Sequence, residues 1–380
     1  MNLRPFRIAI PDADIADLHA RLDRTRWPDE INDDDWGWGT SLPWLRGLAE
    51  YWRHGFDWRA QEARLNALPQ FVATIDGQDV HFVHLRGKGP KPLPLVLTHG
   101  WPGSFVEFEA IAPLLTDPAA HGGAATEAFD LVIPSLPGYG FSGRPTAPGM
   151  NPRAIGRLWA KLMAGLGYTS YGAQGGDWGA AVTTALAQEA PAAVVGIHQN
   201  LIMRMMAAPP NEGLSEAERR FLAELARWGD VEGGYSHIQG TRPQTLGYAL
   251  TDSPVGLAGW IGEKFRGWSD CGGDMERCFT RDQLLTNIAI YWFTGTAASS
   301  VRIYKERNLA GAQLALGERV GVPFGHASFP AEIFRAPREW AERMYDVRHW
   351  TEMPRGGHFA AMEQPELLAA DIRAFFRLVR

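Results

Sequence analysis

The chain has 380 residues, of which 45% are hydrophobic and 21% are charged, values that are ordinary for a globular protein of two or three structural units. Its formal net charge of −6, with lysine and arginine scattered along the chain, argues against nucleic acid or an anionic membrane as a partner. Its two cysteines, Cys271 and Cys278, are too few for a disulfide framework, and we expect reduced thiols. Because no apolar run resembles a signal peptide or a membrane anchor, we expect a cytoplasmic protein.

The first 91 residues are predicted to form an N-terminal extension that packs on the rest of the molecule. A helix is expected between Asp12 and Pro28, where the proline stops it, and a second helical pattern covers residues 44–65. Two strand-like runs, 71–75 and 80–85, flank Asp76-Gly77, a pair typical of a tight hairpin turn. The extension is therefore predicted to be helical first and to end in a β-hairpin.

Beyond residue 91, short apolar runs alternate with helix-length segments, a pattern typical of buried parallel strands joined by crossover helices. The runs are residues 93–98, 129–134, 171–173, 194–198, 320–324 and 347–353, and a helix at 365–378 closes the chain. Between them the strand pattern disappears, and the helical segments there are 214–228, 254–268 and 282–293. We predict a mostly parallel central sheet flanked by helices, built from residues 92–202 and 306–380 and interrupted by a helical lid over residues 203–305.

The segment Gly175-Gly-Asp-Trp-Gly179 lies after a predicted strand and before a predicted helix. Small residues two places on either side of Asp177 suit a tight strand–turn–helix elbow, which holds the central side chain clear of the backbone in a strained conformation. Glycine is needed because a Cβ at these places would clash in so sharp a turn. An aspartate beside glycine is on its own more often a turn residue or a helix cap, so this prediction depends on its partners.

Two further residues follow Asp177 in the order that α/β-hydrolases use. Glu332 lies in the loop after the run at 320–324, and His358 lies between the last strand and the last helix. A nucleophile, an acid and a histidine, each at the carboxyl end of a strand, are typical of the α/β-hydrolase fold. Asp346 is also acidic and nearby, and it stays an alternative to Glu332. We predict an α/β-hydrolase with Asp177 as nucleophile, His358 as base and Glu332 as the acid that orients it.

Several segments of the chain have unusual sequences. They are Arg-Trp-Pro at 26–28, His-Gly-Trp-Pro-Gly-Ser at 99–104, the elbow at 175–179, Gly-Tyr-Ser-His-Ile-Gln-Gly-Thr-Arg-Pro at 234–243, Ile-Tyr-Lys-Glu at 303–306, Phe-Pro-Ala-Glu-Ile at 329–333 and Gly-Gly-His-Phe at 356–359. With these segments the chain resembles the microsomal-type epoxide hydrolases of the α/β-hydrolase superfamily, nearly from end to end and including their N-terminal extension. The resemblance implies an enzyme that converts an epoxide and water to a vicinal diol.

The resemblance also implies roles for residues outside the triad. Tyr235 and Tyr304 match the two lid tyrosines that hold the epoxide oxygen, with Tyr291 as a nearby alternative. Hydrolases of this fold place part of the oxyanion hole after the first core strand, so the expected donors are the backbone N–H groups of Trp101 and Trp178. The expected substrate-binding residues are Trp101, Trp178 and Pro102.

A carboxylate at position 177 suits epoxide chemistry better than the serine that most such elbows carry. A carboxylate is ionised at neutral pH and can displace at saturated carbon without a base. A phenol, whose ordinary pKa is about 10, can hydrogen-bond the epoxide oxygen and protonate it as the ring opens. The product would be an ester on Asp177, which a water activated by His358 could hydrolyse, whereas serine would yield a stable ether.

Two other functions remain as alternatives. A dehalogenase would also use an aspartate and a histidine, with N–H donors for a halide, although the lid tyrosines argue against it. A non-catalytic hydrolase-like binding protein would have no need for an intact triad.

The segment 138–143 fits a dinucleotide fingerprint, but the proline-rich residues 144–152 cannot form the helix that would bind pyrophosphate. We expect no cofactor, no metal and an apolar small-molecule epoxide as partner, with a homodimer as one option for assembly.

Overall fold

The computed structural model describes residues 1–31, 36–203, 212–307, 314 and 317–380, so residues 204–211 of the predicted lid lie outside the described residues. Within these ranges one sheet contains nine strands: β1 Asn2–Phe6, β2 Gln70–Ile75, β3 Gln78–Leu85, β4 Leu93–Thr98, β5 Phe129–Pro134, β6 Tyr171–Gly175, β7 Val194–Gln199, β8 Val320–Ser328 and β9 Tyr345–Glu352. Their order is β1-β2-β3-β5-β4-β6-β7-β8-β9. The pairs from β1 to β5 are antiparallel and those from β5 to β9 are parallel, which confirms the predicted mostly parallel sheet.

The predicted hairpin is present between β2 and β3. Ile75 pairs with Gln78, and the two turn residues Asp76 and Gly77 have φ values of 50° and 80°. Two successive positive φ values match the right-handed twist of the flanking strands. Strand β1 was not predicted, because it is short, mostly exposed and contains a proline, features of an edge strand that leave little hydrophobic pattern.

The described ranges contain the following α-helices: α1 Asp12–Asp23, α2 Leu42–His54, α3 Trp58–Leu65, α4 Ala112–Thr116, α5 Pro152–Gly165, α6 Asp177–Glu189, α7 Glu216–Val231, α8 Gly234–Thr241, α9 Pro243–Asp252, α10 Pro254–Trp268, α11 Arg281–Thr294, α12 Ala297–Ser300, α13 Arg302–Glu306, α14 Arg338–Glu342, α15 Ala360–Glu363 and α16 Pro365–Arg377. Helix α1 ends at Asp23, earlier in the chain than the predicted stop at Pro28. No helix in the described part of the chain is long and apolar enough to cross a membrane.

The central strands β4, β5 and β6 are deeply buried. All six residues of β5 are buried, as are the last four of β4 and all five of β6. Strands buried along their whole length need helices on both faces of the sheet, which explains why their sequences are apolar without alternation. The carboxyl ends of β6, β8 and β9 lie at one edge of this core, and that edge carries the candidate site.

Helices α7 to α13 form the lid, and residues 212–307 contain no strand, in agreement with the helical insertion predicted there. The N-terminal extension contacts this lid through polar side chains. Arg21 pairs with Asp252 at 2.8 Å, the Tyr51 hydroxyl donates to Asp282 at 2.8 Å, and the Thr40 hydroxyl donates to the Gly259 carbonyl at 2.8 Å. The extension therefore joins the sheet at one end and supports the lid at the other.

Candidate active site

Asp177 begins helix α6 directly after strand β6, at a sharp turn. Its φ is +46°, a left-handed conformation that costs a non-glycine residue energy and that persists only when the surroundings impose it. A Cβ on Gly175 would lie 2.4 Å from the Gly179 carbonyl carbon, and a Cβ on Gly179 would lie 1.9 Å from the Thr98 oxygen. The predicted strained elbow, with its requirement for glycine on both sides, is confirmed.

The structure brings the three predicted triad residues together. His358 Nε2 lies 3.6 Å from Asp177 Oδ2, and His358 Nδ1 lies 2.6 Å from Glu332 Oε1, so the imidazole N–H donates to the glutamate. All three side chains are buried. The alternative acid, Asp346, lies on β9 and pairs with Arg348 at 2.9 Å, so Glu332 and not Asp346 is placed to orient the histidine.

Electrostatics favour a charged histidine in this arrangement. Burial lowers the pKa of His358, but the charge and hydrogen bond of Glu332, with the charges of Asp177 and Glu107, outweigh it and raise this pKa to about 9. Burial raises the pKa of Asp177, while the charge of His358 acts in the opposite direction. Because Asp177 is one source of the raised histidine pKa, any reaction that neutralises this carboxylate makes His358 a readier proton acceptor.

The first core strand leads into a loop that wraps the Asp177 carboxylate. The backbone N–H of Trp101 donates to Asp177 Oδ1 at 2.8 Å. Hydrogen bonds from the backbone N–H groups of Trp178 and Trp101 lower the pKa of Asp177 against the effect of burial. A Cβ on Gly100 would lie 2.1 Å from Asp177 Oδ1, so only glycine permits this close approach. The two N–H groups named in the sequence analysis therefore converge on the carboxylate.

His99, which opens this loop, is a structural residue. It is buried, its Nε2 accepts from the Leu136 backbone N–H at 3.1 Å, and its Nδ1 lies 3.0 Å from the Gly100 carbonyl. Burial lowers the pKa of His99 to about 4, so the ring is neutral at physiological pH. With both nitrogens occupied, His99 fixes the loop and is not placed to act as a second base.

The two predicted lid tyrosines lie over the elbow. The rings of Tyr235 and Tyr304 are 5.8 Å apart, and they pack on Trp101 at 5.4 Å and 5.8 Å. The Tyr304 ring also lies 4.8 Å from Trp178. Burial, and then the charges of Tyr235 and Asp177, raise the pKa of Tyr304 well above its ordinary value, so its hydroxyl remains a hydrogen-bond donor.

Tyr291, the alternative to these tyrosines, has another partner. Its hydroxyl donates to the Gly103 carbonyl at 2.6 Å, and Asn287 on the same helix, α11, donates to the Pro102 carbonyl at 2.7 Å. These two side chains tie the lid to the loop that carries Trp101. Sequence reasoning missed Asn287, because an amide that supports a loop from another element leaves no local motif.

Lys264 is a second residue that the sequence did not reveal. Its buried ammonium lies 4.6 Å from the centre of the Tyr235 ring and 5.8 Å from that of Trp268, and it pairs with Glu263. A cation over an aromatic face is attracted by the electrons of the ring, more strongly where water is excluded. Lys264 therefore packs on the ring face of Tyr235, with Glu263 beside it as its counter-charge.

The lid also holds the loop that carries His358. The His358 backbone N–H donates to the Trp268 carbonyl at 2.8 Å, and the Gly356 N–H donates to Asp270 at 2.8 Å. Glu363 accepts from the N–H groups of both Asp270 and Phe359, at 2.8 and 2.9 Å. The position of the histidine thus depends on the end of α10 as well as on the core.

Two family models match the chain. The model described as the epoxide hydrolase N terminus matches residues 3–108, and that of the alpha/beta hydrolase fold matches residues 94–231. Epoxide hydrolase 1 of Oryctolagus cuniculus is 42% identical over 406 residues, covering 100% of this chain and 89% of that protein.

Solved structures agree with these relatives. The epoxide hydrolase of Aspergillus niger is 33% identical, with a TM-score of 0.87 and coverage of 100% of this chain and 97% of that one. The juvenile hormone epoxide hydrolase of the silkworm Bombyx mori is 29% identical, with a TM-score of 0.89 and coverage of 100% and 95%. The similarity extends over the N-terminal extension, the core and the lid together.

Proposed function

The chain belongs to the epoxide hydrolase family and is an epoxide hydrolase, and we propose that it opens its substrate through a covalent ester on Asp177. The observation that carries this proposal is the position of the Asp177 carboxylate, on a strained elbow, 3.6 Å from His358 Nε2 and beneath the two lid tyrosines. With this assignment the dehalogenase and the non-catalytic alternatives are set aside.

In the first step, an Asp177 carboxylate oxygen forms a bond to an epoxide carbon while the carbon–oxygen bond of the ring breaks. The departing oxygen takes a proton from one of the two phenols, Tyr235 or Tyr304, which becomes a phenolate. Lys264 stabilises that charge when it lies on Tyr235. Two phenols that converge on one oxygen bind it directionally, and a dry site strengthens both hydrogen bonds.

In the second step, water adds to the carbonyl carbon of Asp177 and His358 takes its proton. The ester has lost the Asp177 charge that raises the histidine pKa, so the imidazole is a readier base at the stage that needs one. The N–H groups of Trp101 and Trp178 stabilise the tetrahedral oxyanion. Collapse regenerates the carboxylate, His358 protonates the departing diol oxygen, and the second water proton restores the phenol.

The aromatic side chains packed around Tyr235 support an apolar substrate. Trp228 lies 6.1 Å from Tyr235 and 5.8 Å from Phe334, and Trp268 lies 5.2 Å from Tyr235. Aromatic walls of this kind bury apolar surface and offer few hydrogen bonds. We propose an aryl or other apolar epoxide as the substrate, bound against Trp101, Trp178 and Pro102.

Three further expectations stay predictions: a cytoplasmic location, a homodimer, and the division of the chain into four parts at residues 91, 202 and 305.

The test is a single turnover of styrene oxide in ¹⁸O-labelled water with enzyme in excess. The ester route transfers an oxygen of Asp177 to the diol, so the first diol released should be unlabelled and the label should appear in the Asp177 carboxylate. A first diol that carries solvent oxygen would mean direct attack by water and would contradict the covalent route.

A further inference from the structure

A small cavity lies beside Asp177 and His358, on the core side of the site. Its volume is about 20 Å³, and the polar side chains that line it besides the two catalytic ones are Glu107, Gln174 and Asn200. Neither Tyr235 nor Tyr304 lines it. A space of this size holds about one water molecule, and a water in such a place needs two to four polar partners.

Gln174 provides one such partner. It is 1% exposed, its Nε2 donates to Asn200 Oδ1 at 2.9 Å, and its Oε1 is buried with no partner within the described part of the chain. A buried acceptor without a partner is costly, and native proteins commonly satisfy it with an ordered water. Because Gln174 lines the cavity, its free oxygen indicates that the cavity is wet.

Glu107 is the second partner, and the sequence analysis did not identify it. A Cβ on Gly103 would lie 1.3 Å from Glu107 Oε1, so the glycine makes room for this carboxyl group. Within the described ranges no lysine or arginine pairs with Glu107. Burial raises the pKa of Glu107 to about 8, with a lowering contribution from the charge of His358 and a raising one from that of Asp177. Glu107 is therefore coupled to both residues that act on the ester.

We propose that this cavity holds the water that hydrolyses the Asp177 ester, and that Glu107 positions this water for His358. The inference rests on the covalent route proposed above. In the free enzyme the water donates to Glu107 and to Gln174 Oε1. In the ester it keeps its hydrogen bond to Glu107 and turns the other proton from Gln174 to His358 Nε2, which leaves a lone pair directed at the carbonyl carbon of Asp177. His358 takes one water proton as the carbon–oxygen bond forms and returns it to the departing diol oxygen, and Glu107 is unchanged at the end of the step.

Glu107 also interacts with the charge that forms on the base. When His358 takes the water proton it becomes an imidazolium, and this charge lowers the pKa of Glu107. An ionised Glu107 accepts a strong hydrogen bond from water and stabilises the imidazolium that forms next to it. Glu107 is thus best able to hold the water as the attack proceeds.

The experiment compares Glu107→Gln with Glu109→Gln, a control two residues away whose carboxylate pairs with Arg64 at a distance from the cavity. Rates of ester formation and ester hydrolysis are measured separately on styrene oxide by rapid quench and mass spectrometry, across a range of pH. We expect Glu107→Gln to slow hydrolysis by roughly tenfold or more, with ester formation little changed and the control close to wild type.

The pH dependence separates positioning from a merely structural role. Glu107 raises the pKa of His358, and the base works when it is neutral, so hydrolysis rises with pH through this pKa. Removing the Glu107 charge lowers that pKa, and the midpoint of the hydrolysis profile should move to lower pH in Glu107→Gln. An unshifted midpoint with both steps slowed equally, or an unchanged hydrolysis rate, would overturn the inference.

A crystal structure of the wild-type enzyme gives a test that needs no variant to fold. It should show an ordered water within hydrogen-bond distance of Glu107 and His358, and a dry cavity would overturn the inference. The wild-type single turnover keeps the two proposals apart. If no ester forms on Asp177, the proposed function fails; if the ester forms and Glu107→Gln behaves as wild type, only the role of Glu107 fails.

Discussion

Replacing Gly100 by alanine should displace the nucleophile without removing any group that takes part in the reaction. The new Cβ would lie 2.1 Å from Asp177 Oδ1 and 2.5 Å from its Cγ, whereas ordinary van der Waals contact begins at 3.4 Å. The carboxylate must therefore move by more than roughly 1 Å, and a misplacement of that size costs about 10²-fold in rate. The same overpacking should reduce the free energy of unfolding by about 1–3 kcal/mol.

The assay is kcat/KM on styrene oxide, with thermal unfolding measured in parallel to show that the variant is folded. Gly47→Ala is the matched control, since Gly47 lies in helix α2 and a Cβ there would have nothing within 4 Å. In the control, activity should be unchanged and stability should rise slightly, because alanine is the better helix former by roughly 0.5–1 kcal/mol. A folded Gly100→Ala enzyme with wild-type kcat/KM would refute the reasoning.

The remaining predictions concern the two chemical steps. Tyr304→Phe should slow ester formation by about 10²-fold, as the loss of one oxyanion donor does, with a smaller effect on ester hydrolysis; equal slowing of both steps would refute its role in ring opening. Lys264→Met removes the cation over Tyr235 and should slow ester formation by about tenfold, corresponding to about 1–2 kcal/mol, and an unchanged rate would show that this cation is only structural. Glu332→Gln should slow hydrolysis by roughly 10²-fold or more and, because Glu332 raises the pKa of His358, should move the midpoint of the hydrolysis profile to lower pH. A midpoint that moves to higher pH would contradict the assigned electrostatics.

The parts of the site that lie on local motifs could be predicted from the sequence. The elbow could be predicted because its geometry requires glycine at both Gly175 and Gly179. Asp177, Glu332 and His358 each follow a strand of the parallel sheet, so their side chains meet at the carboxyl ends of the strands. The strands of the core could also be predicted, because burial on both faces of the sheet requires uninterrupted apolar runs. In each case a local physical requirement restricts the amino acids that can occupy a position.

The residues that the sequence did not reveal have their role through contacts with other helices or loops of the structure. Glu107 reaches the site only because Gly103 makes room for it, Lys264 matters only because the lid places Tyr235 beneath it, and Asn287 supports a loop that is distant in the chain. None of these contacts imposes a local pattern, because the partner belongs to another element. Tertiary contacts of this kind become visible only when the packing of the lid on the core is known.

The central claim is that Asp177 is alkylated by the substrate and released by a water that His358 activates. Incubating His358→Gln with excess styrene oxide tests it most directly, with the intact protein and the Asp177 peptide then weighed by mass spectrometry. We predict that a stable adduct of one styrene oxide accumulates on Asp177, because ring opening proceeds and hydrolysis does not. An inactive, folded His358→Gln enzyme that carries no adduct, or carries it on another residue, would contradict the account.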